Sequence, residues 1–535
     1  MKNKVEMPKR VAIIGAGASG LTSIKCCLDE DLEPVCFERS NDIGGLWNFQ
    51  EQVIDGRPSI YKSLIINTSK EMMCFSDFPI PEDYPNFMHN SKIMDYFRLY
   101  AEHFNLMKYI RFKTNVCTIT ERTDFSSTGQ WDVVTRDIEG NLETSTFDAI
   151  MVCTGHHSSP HLPLDSFPGI EIFKGQYMHS KDYKQPMVFE GKRVVIIGIG
   201  NSGGDLAVEI SRHAKQVFLS TKRGAWIVSR LAGKGFPGDM IYNRRINNLF
   251  ALSTISWLIE RDLNKRFDHV NFGLKPRHSF CSQHPMINDD LPNRIISGGI
   301  LVKPNVKQFT ESAAVFEDGT VEDVDAVIFA TGYIFAFPFL DESVIKVDRN
   351  NVFLYKYVFP PQLEQKTLAI IGLIQPLGAI MPISELQARW ATRVFKGLAK
   401  LPCFDNMMAE ILKKKEEMAK RYFSSQRHTI QIDFIPYMDE LAELIGVKPN
   451  IKKLLYNDPR LAFQVFFGPC SPYQFRLAGP GKWPKARETI LTQWQRTIKP
   501  TKTRLTSDSE QTASLPALLK FLLVLVVLCF AYLFL

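Results

Sequence analysis

Residues 10–20 read Arg-Val-Ala-Ile-Ile-Gly-Ala-Gly-Ala-Ser-Gly, and residues 193–203 read Arg-Val-Val-Ile-Ile-Gly-Ile-Gly-Asn-Ser-Gly. In each stretch an apolar β-branched run opens directly into G-x-G-x-x-G, the strand, tight turn and helix of a dinucleotide-binding βαβ unit. The first glycine permits the turn, the second lets backbone N–H groups reach a pyrophosphate, and the third lets helix and strand pack closely. Two such units predict two bound dinucleotides.

A second repeated phrase supports a duplication. Residues 147–155, Phe-Asp-Ala-Ile-Met-Val-Cys-Thr-Gly, match residues 324–332, Val-Asp-Ala-Val-Ile-Phe-Ala-Thr-Gly. Each phrase predicts a buried parallel strand that ends in a glycine, where backbone can approach a ligand. A single fingerprint would also fit an ordinary tight turn. Two fingerprints, each with its own distal strand, favour two nucleotide-binding units of α/β fold, the second inserted in the first.

The residue that follows the second strand of each unit separates the two ligands. Glu38 follows the run 33–37 of the first unit, where a carboxylate accepts hydrogen bonds from ribose hydroxyls. In the second unit the equivalent run, 216–220, is followed by Thr221, Lys222 and Arg223. Hydroxyls and cations favour a ribose 2′-phosphate, so NADPH is the expected second ligand. A solvated basic turn is the alternative for Lys222 and Arg223.

Composition limits the remaining possibilities. The 535 residues, 45% of them hydrophobic, allow two or three domains with real cores. The net charge of +7 is modest and no long basic run occurs, so nucleic acid is not an expected partner. The ten cysteines contain no C-x-x-C and no ligand-like spacing with histidine, which predicts a reducing compartment and no structural metal.

The two ends of the chain differ. The first ten residues are polar and charged, so no secretory signal is predicted. Residues 517–535 are apolar except for Lys520, which predicts a transmembrane tail anchor. The basic residues 499, 502 and 504 before it would keep the catalytic body in the cytosol. A C-terminal helix docked on the body is the alternative, although the segment has no polar stripe.

The repeats also suggest the organisation of the chain. Residues 1–160 and 335–447 are expected to form the first nucleotide domain, with a strand at 368–374 and a helix at 384–398. Residues 161–334 form the second domain in this prediction, with an aromatic and basic insertion at about 231–304. The proline-rich stretch 448–515 is expected to wrap the body and lead to the tail.

Between the repeats lies an F-x-G-x-x-x-H-x-x-x-Y arrangement, formed by Phe173, Gly175, His179 and Tyr183. A single histidine among aromatic residues is usually structural, but its position at the junction of the two domains also suits a hinge between the cofactors. This motif resembles the fingerprint of class B flavoprotein monooxygenases. With Glu38, residues 44–47 (Gly-Gly-Leu-Trp), Asn67, residues 198–203 and residues 330–333 (Ala-Thr-Gly-Tyr), the whole chain is similar to the flavin-containing monooxygenases of vertebrate microsomes. Residues 65–73, 288–296 and 372–380 most resemble their fifth mammalian isoform group.

The resemblance implies FAD on the first fingerprint, NADPH on the second, and O2 as co-substrate. The residues it assigns to cofactor binding are Gly15, Ala16, Gly17, Ala18, Ser19, Gly20, Glu38, Gly45, Leu46, Trp47, Asn67, Thr68, Gly198, Gly200, Asn201, Ser202, Gly203, Gly204, Thr221, Lys222, Arg223, Thr331 and Gly332. Hydride from NADPH would reduce the flavin, O2 would add at its C4a carbon to give a (hydro)peroxide, and NADP+ would stay bound to shield it. The resemblance also implies that the protein is located in the endoplasmic reticulum membrane.

The resemblance also implies that Asn67 is the catalytic residue. Its carboxamide does not titrate near neutral pH and can donate a hydrogen bond in a site that must exclude water. An Asx-turn before residues 68–69 is the alternative reading. The protein itself needs no acid, nucleophile or metal, because the flavin supplies the chemistry.

Several activities remain open at this point. The isoform resemblance implies Baeyer–Villiger oxidation of ketones and aldehydes with broad xenobiotic scope, and an arginine to stabilise the anion, which sequence does not locate. Oxygenation of amines and sulfides as the main activity, or an uncoupled NADPH oxidase that makes H2O2, are alternatives. A disulfide reductase would need a redox dithiol, for which the adjacent Cys26 and Cys27 are poor candidates because neighbours on a helix point apart. A membrane-tethered nucleotide-binding or redox-sensing module, and homodimer formation, also stay open.

Overall fold

The computed structural model describes residues 7–422 and 429–504. Within that part of the chain, no helix is both long and apolar enough to cross a membrane. The predicted tail anchor at 517–535 lies outside the described residues. The described residues form two α/β units, a helical insertion in the second unit, and a group of C-terminal helices.

The elements of the first unit, up to the first crossing to the second, are β1 (Arg10–Ile14), α1 (Ala18–Asp29), β2 (Glu33–Phe37), α2 (Lys70–Met73), α3 (Asn90–His103), β3 (Ile110–Arg111), β4 (Asn115–Glu121), α4 (Phe125–Thr128), β5 (Trp131–Arg136), β6 (Leu142–Phe147), β7 (Ala149–Val152) and β8 (Ser159–Pro160). Two single-turn 3₁₀ helices, Gly45–Trp47 and Met107–Tyr109, belong to the same stretch. The repeated runs form β1 and β7 because apolar β-branched residues suit strands that are covered on both faces.

The elements of the second unit are β9 (Gln176–His179), β10 (Arg193–Ile197), α5 (Asn201–Ile210), β11 (Gln216–Ser220), β12 (Ile227–Val228), α6 (Gly238–Tyr242), α7 (Leu252–Arg266), β13 (Met286–Ile287), α8 (Leu291–Ile296), β14 (Ile300–Lys303), β15 (Val306–Phe309), β16 (Ala313–Phe316), β17 (Val321–Asp323), β18 (Ala326–Phe329) and β19 (Tyr333–Ile334). Its 3₁₀ helices are Leu164–Ser166, Pro186–Phe189, Gly233–Gly235, Arg245–Leu249 and Phe280–Ser282.

The remainder of the chain returns to the first unit. Its elements are β20 (Leu368–Ile370), β21 (Gln375–Pro376), α9 (Ile380–Phe395), α10 (Phe404–Arg421), β22 (Gln431–Ile432), α11 (Phe434–Ile445), α12 (Ile451–Asn457), α13 (Pro459–Phe467) and α14 (Ala486–Ile498), with 3₁₀ helices Pro472–Arg476 and Lys499–Thr501. The predicted strand at 368–374 is therefore shorter, and the predicted helix at 384–398 begins and ends earlier.

Each unit contains one five-stranded sheet. The first sheet has the order β20-β7-β1-β2-β3 and the second has the order β14-β11-β10-β18-β9, and every neighbouring pair is parallel. Each unit also has a three-stranded antiparallel sheet, β4-β5-β6 or β15-β16-β17. The predicted α/β fold with two Rossmann-like sheets is confirmed. β20 reaches the first sheet only after the whole second unit.

The two passages of the chain between the units run side by side. β8 pairs antiparallel with β19, with Pro160 opposite Tyr333 and Ser159 opposite Ile334. This pair forms a two-stranded bridge where the second unit joins the first.

The insertion and the C-terminal stretch differ in detail from the sequence prediction. Residues 300–303, placed at the end of the insertion, form β14 and pair with β11 in the second sheet. Four residues are too short a run to stand out from their surroundings in sequence. The stretch after residue 448 contains helices α12 to α14, and Leu461, Val465 and Ile490 of these helices belong to the core of the first unit.

Candidate flavin and nicotinamide site

The first fingerprint forms a turn that only glycine can occupy. Gly15 has a φ of +100°, and a Cβ on Gly20 would lie 1.9 Å from the carbonyl oxygen of Gly15. Helix α1 then begins at Ala18, so the backbone N–H groups of its first turn have no partner inside the helix. These groups and the helix dipole favour a phosphate at this end.

A second glycine pair faces this turn. Gly44 and Gly45 have φ values of +100° and +54°, and a Cβ on Gly17 would lie 3.7 Å from the Cα of Gly45. Leu46 and Trp47 follow in the same 3₁₀ turn and are half-buried. The two backbones therefore meet without side chains, which fits a pyrophosphate bound by backbone groups.

Glu38 closes the cradle at the carboxyl end of β2. Its Oε2 accepts a hydrogen bond from the N–H of Ala16 at 2.8 Å, and its Oε1 accepts one from the N–H of Ser40 at 2.8 Å. The side chain is buried, with 8% exposed. A carboxylate has about four acceptor positions, so Glu38 keeps capacity for ribose hydroxyls. Glu38 thereby joins the glycine turn to the end of β2.

The second fingerprint repeats this geometry with different neighbours. Gly198 has a φ of +108°, and a Cβ on Gly203 would lie 2.0 Å from the carbonyl oxygen of Gly198. A Cβ on Gly204 would lie 1.7 Å from the terminal methyl of Met286 in the insertion. Asn201 begins α5, and its Oδ1 accepts a hydrogen bond from the N–H of Ile287 at 2.8 Å. The insertion therefore packs directly on this nucleotide turn.

The turn after β11 presents cations where the first unit presents Glu38. The hydroxyl of Thr221 accepts a hydrogen bond from the N–H of Gly224 at 3.0 Å, which fixes the turn. Lys222 and Arg223 are exposed beside it. This arrangement fits a 2′-phosphate, because two exposed cations stay hydrated until an anion binds and can then form charge-assisted hydrogen bonds with it.

The distal repeats lie at the ends of β7 and β18. Gly155 and Gly332 have φ values of +70° and +90°, in the left-handed region that favours glycine. The hydroxyl of Thr331 donates to the carbonyl oxygen of His161. These residues lie near the bridge between the units.

The aromatic and histidine motif also lies at this junction. The Nε2 of His179 lies 3.0 Å from the carbonyl oxygen of Gly332, and its Nδ1 accepts from the N–H of Lys181 at 3.1 Å. Burial lowers the pKa of His179 to about 4, so the ring is neutral at physiological pH. Both ring nitrogens are used locally, which is the geometry of a structural histidine.

The other three motif residues pack rather than react. Gly175 admits the ring of Phe173, which would lie 2.5 Å from a Cβ at that position. The ring of Tyr183 meets the ring of Tyr61 edge-on, with centroids 5.9 Å apart. The motif therefore shapes the contact between the units.

Asn67 comes from the loop between the 3₁₀ helix Gly45–Trp47 and α2. Its Oδ1 accepts a hydrogen bond from Nη2 of Arg230 at 2.7 Å. The expected alternative, an Asx-turn, is not what forms, because the following N–H of Ser69 donates to Asp239 at 2.7 Å instead. Among the described residues Nδ2 of Asn67 has no hydrogen-bond partner, so the amide is oriented with its donor available. Thr68 is half-buried beside it.

Arg230 is the residue that sequence reasoning missed. It follows β12, and Asp289 holds it by accepting from its Nη1 at 2.9 Å and from its backbone N–H at 3.0 Å. Ser229 donates to the same carboxylate at 2.6 Å. Burial raises the pKa of Asp289, but these hydrogen bonds and the arginine charge outweigh it and leave the pKa lowered. The only sequence signal was a single arginine after the apolar run 225–228.

The two adjacent cysteines do not form a redox centre. Cys26 and Cys27 are buried within α1 and are free thiols. Burial raises the pKa of Cys26 to about 12 and that of Cys27 well above its usual range. Thiolate is the reactive form, so these side chains are inert. In the part of the chain that the structure describes, no group of metal-ligating residues is present.

Comparison with known proteins gives consistent matches across the chain. The family model for flavin-binding monooxygenase-like proteins matches residues 8–535. Flavin-containing monooxygenase 5 of Rattus norvegicus is 65% identical over 512 residues, which cover 95% of this chain and 96% of the relative. The match spans both fingerprints and the insertion.

Solved structures share the same architecture. S-allyl-L-cysteine S-oxygenase from Allium sativum is 25% identical with a TM-score of 0.63, covering 92% of this chain and 99% of that one. Cyclohexanone monooxygenase in its open form is 14% identical with a TM-score of 0.57, covering 82% of this chain and 98% of that one. The second likeness is one of fold.

Proposed function

The chain belongs to the flavin-binding monooxygenase-like family, and from this premise we propose that it oxidises ketones and aldehydes to esters by Baeyer–Villiger oxygen insertion. It is a flavin-containing monooxygenase that uses FAD, NADPH and O2. When bound, the reduced flavin supplies the activated oxygen. The protein contributes binding, orientation and exclusion of water.

The pairing of Arg230 with Asn67 is the observation that supports carbonyl substrates. A Baeyer–Villiger reaction needs an anionic oxygen nucleophile, whose charge passes to the carbonyl oxygen of the substrate during attack, and a fixed guanidinium would stabilise that charge. Oxygenation of an amine or a thioether uses an electrophilic oxygen and gains nothing from a cation. Because Asp289 fixes Arg230 before substrate binds, no reorganisation is needed during the reaction.

Asn67 has a different role in this proposal. Arg230 occupies its Oδ1, so its Nδ2 is the group that would donate a hydrogen bond to the activated oxygen or to a bound nicotinamide. An amide donates without supplying a mobile proton. Water or a titrating acid at this position would divert reduced oxygen to H2O2.

The cofactor residues are proposed from the two cradles. FAD would lie on residues 15–20 with Glu38 on its ribose, and NADPH on residues 198–204 with its 2′-phosphate at Thr221, Lys222 and Arg223. The cradles formed by backbone alone at Gly17 and Gly45 support the first assignment. The replacement of an acid by exposed cations supports the second.

A membrane location is also proposed. The apolar residues 517–535 favour a tail anchor in the endoplasmic reticulum with the body in the cytosol. In the described part, the insertion exposes Leu252, Trp257 and Leu258, each about half accessible to solvent. Large exposed apolar side chains are typical of surfaces that meet lipid or another protein.

S-oxygenation is the second candidate function. A structural relative with a shared fold and 25% identity is an S-oxygenase. Small lipophilic sulfides and amines need only reach the oxygen, so the same site could accept them.

Product analysis distinguishes the candidates. A linear methyl ketone and an aryl methyl thioether would be supplied separately with NADPH, and ester, sulfoxide and H2O2 measured against NADPH consumed. We expect ester from the wild type, and we expect Arg230→Gln to lower its formation at least about tenfold, or 1.4 kcal/mol of barrier, with sulfoxide much less affected. Arg212→Gln is the matched control, since it removes a surface arginine–aspartate pair with Asp290.

Other outcomes would replace the proposal. Sulfoxide without ester in the wild type would make heteroatom oxygenation the main activity. H2O2 equal to the NADPH consumed, with either substrate, would identify an NADPH oxidase. Equal losses of ester and sulfoxide in Arg230→Gln would remove the special role of the cation.

A further inference from the structure

Tyr61 belongs by sequence to the first unit but is buried in the second. It lies between the 3₁₀ helix Gly45–Trp47 and α2, and its ring is part of the apolar core around α5 and β10. Only 8% of the residue is exposed. Its hydroxyl donates a hydrogen bond at 2.5 Å to Oδ2 of Asp205. One side chain therefore crosses from the first unit, proposed to bind FAD and here called the flavin unit, into the second unit, proposed to bind NADPH and here called the nicotinamide unit.

Asp205 is a junction for three parts of the molecule. It lies on α5, one turn after Asn201, and its second oxygen accepts from Nδ2 of Asn288 at 2.8 Å. Burial raises the pKa of Asp205, and its hydrogen bonds with Tyr61 and Asn288 oppose that increase. A single carboxylate thus connects the flavin unit, the nicotinamide-binding helix and the insertion.

The chain from residue 61 to residue 67, here called the linking segment, is held by the nicotinamide unit at both ends. At one end Tyr61 bonds to Asp205, and the N–H of Lys62 donates to the carbonyl oxygen of Lys184 at 3.0 Å. At the other end Asn67 accepts from Arg230. The partner of Arg230 is Asp289, the residue directly after Asn288.

These hydrogen bonds, together with the stretches of chain between them, form a closed loop. It runs from α5 through Asp205 and Tyr61 along the linking segment to Asn67, then through Arg230 and the 288–289 turn back to α5. Residues 62–66 of the segment also bond to residues 88–90 of the flavin unit, so a movement of the nicotinamide-binding helix relative to the flavin unit strains the segment that carries Asn67.

Resting on the proposed function, we propose that Tyr61 and Asp205 are positioning residues whose hydrogen bond keeps Asn67 in register with α5, so that NADPH oxidation stays coupled to oxygen transfer. Neither side chain needs to touch the reacting atoms. Loss of the bond leaves only the contacts with Lys184 to hold that end of the linking segment, and a displacement of about 1 Å at a reacting group is enough to cost a large part of the rate. Water then reaches the site and H2O2 replaces the oxygenated product.

The test uses the full-length holoenzyme with Tyr61→Phe, which removes the donor and keeps the ring, and Asp205→Asn, which keeps the shape. Oxygenated product and H2O2 are measured per NADPH at saturating NADPH. We expect the H2O2 fraction to rise at least about threefold in both variants, while the rate of anaerobic flavin reduction by NADPH changes less than about twofold. Tyr242→Phe, which removes a tyrosine hydroxyl bonded to Asp262 at 3.2 Å, is the matched control and should leave coupling unchanged.

A second measurement is independent of oxygen transfer. Hydrogen exchange of the backbone amides in residues 57–69 with NADP+ bound should be faster in Tyr61→Phe than in the wild type, and unchanged in Tyr242→Phe. If the wild type makes only H2O2, the proposed function fails while this measurement still reports on the bond. Unchanged exchange and unchanged coupling in Tyr61→Phe would overturn the positioning role. So would a coupling loss explained entirely by a lower thermal midpoint.

Discussion

Glu38 and Thr221 occupy the same position in the two units, one residue beyond the strand that pairs in register with the fingerprint strand. In the first unit Phe37 pairs with Ile14, and in the second Ser220 pairs with Ile197. Glu38 is buried and bonded to the glycine turn itself, whereas Lys222 and Arg223 are exposed. One backbone design therefore supports one enclosed site and one site open to solvent.

The partners of the two turns differ in the same way. The flavin turn faces Gly45, which belongs to the same unit, and α1 is covered by α9. The nicotinamide turn faces Met286 and Ile287, which belong to the insertion. This difference predicts a flavin that stays bound during purification and a nicotinamide that exchanges. The insertion, and not the duplicated fold, then decides how the second nucleotide is held.

The largest expected effect comes from exchanging the third glycine of each turn for alanine. In Gly20→Ala and in Gly203→Ala the new Cβ would meet a carbonyl oxygen at 1.9 Å and 2.0 Å, and the backbone cannot yield cheaply. We expect Gly20→Ala to lose bound flavin or fail to fold. Gly203→Ala should keep flavin but raise KM for NADPH at least about tenfold, or 1.4 kcal/mol.

Visible absorbance per chain and steady-state kinetics measure the two effects. Gly233→Ala is the control, because nothing lies near its Cβ position and its φ is not positive. Loss of the same nucleotide in both glycine variants would show that the two turns do not hold different ligands.

A smaller effect is expected at the cationic turn. Replacing Lys222 and Arg223 together by Gln removes charge-assisted contacts of about 1.5–3 kcal/mol, reduced here by solvent, so NADPH should bind about tenfold more weakly. NADH, which lacks the phosphate, should change little. Binding of both nucleotides to the oxidised enzyme is the measurement, with the exposed Lys215→Gln as control. Equal losses for NADPH and NADH would show that the turn does not contact a 2′-phosphate.

A further effect, on stability and not on nucleotide binding, concerns the seam between the flavin unit and the insertion, where Asp239 accepts from the N–H of Ser69. Burial raises the pKa of Asp239 from 3.8 to about 6, although its hydrogen bonds oppose the shift. The folded state therefore holds this proton more tightly than the unfolded state. The resulting stabilisation is complete below pH 3.8 and is lost as pH rises through about 6.

Asp239→Asn should consequently be more stable than the wild type at pH 8, by about 2 kcal/mol, and lose this advantage near pH 4. Thermal unfolding across this pH range measures the difference. Asp318→Asn is the control, since hydrogen bonds from Thr320 lower the pKa of this exposed carboxyl. A gain at pH 8 in Asp318→Asn of the same size would remove Asp239 as the cause.

Local patterns predicted much of the fold because they are short in sequence. The two glycine turns need only residues 15–20 and 198–203, and the sterics of each turn act within that span. The parallel strands were readable because they are apolar on both faces. The insertion was not readable, since its short elements, such as β12 and β13, pair only with each other and have little periodicity.

The residues of the candidate site also differ in whether the sequence alone could identify them. Asn67 could be proposed from the chain alone, and its catalytic role stays a prediction. Arg230 could not be found that way, because it lies 163 residues from Asn67 and its partner Asp289 lies 59 residues further on. Nothing local distinguishes it from other arginines.

The amino-acid sequence by itself determined that two glycine turns of the nucleotide-binding type exist, because their geometry depends on glycine sterics. It also predicts which kind of ribose each turn suits, from the charge of the residues that follow the second strand of each unit. Tertiary structure alone decided which side chains meet at the junction. Tyr61, Asp205, Asn67 and Arg230 come together through packing of the insertion against both units, and hydrogen bonds between distant residues form only when that packing brings donors and acceptors within about 3 Å.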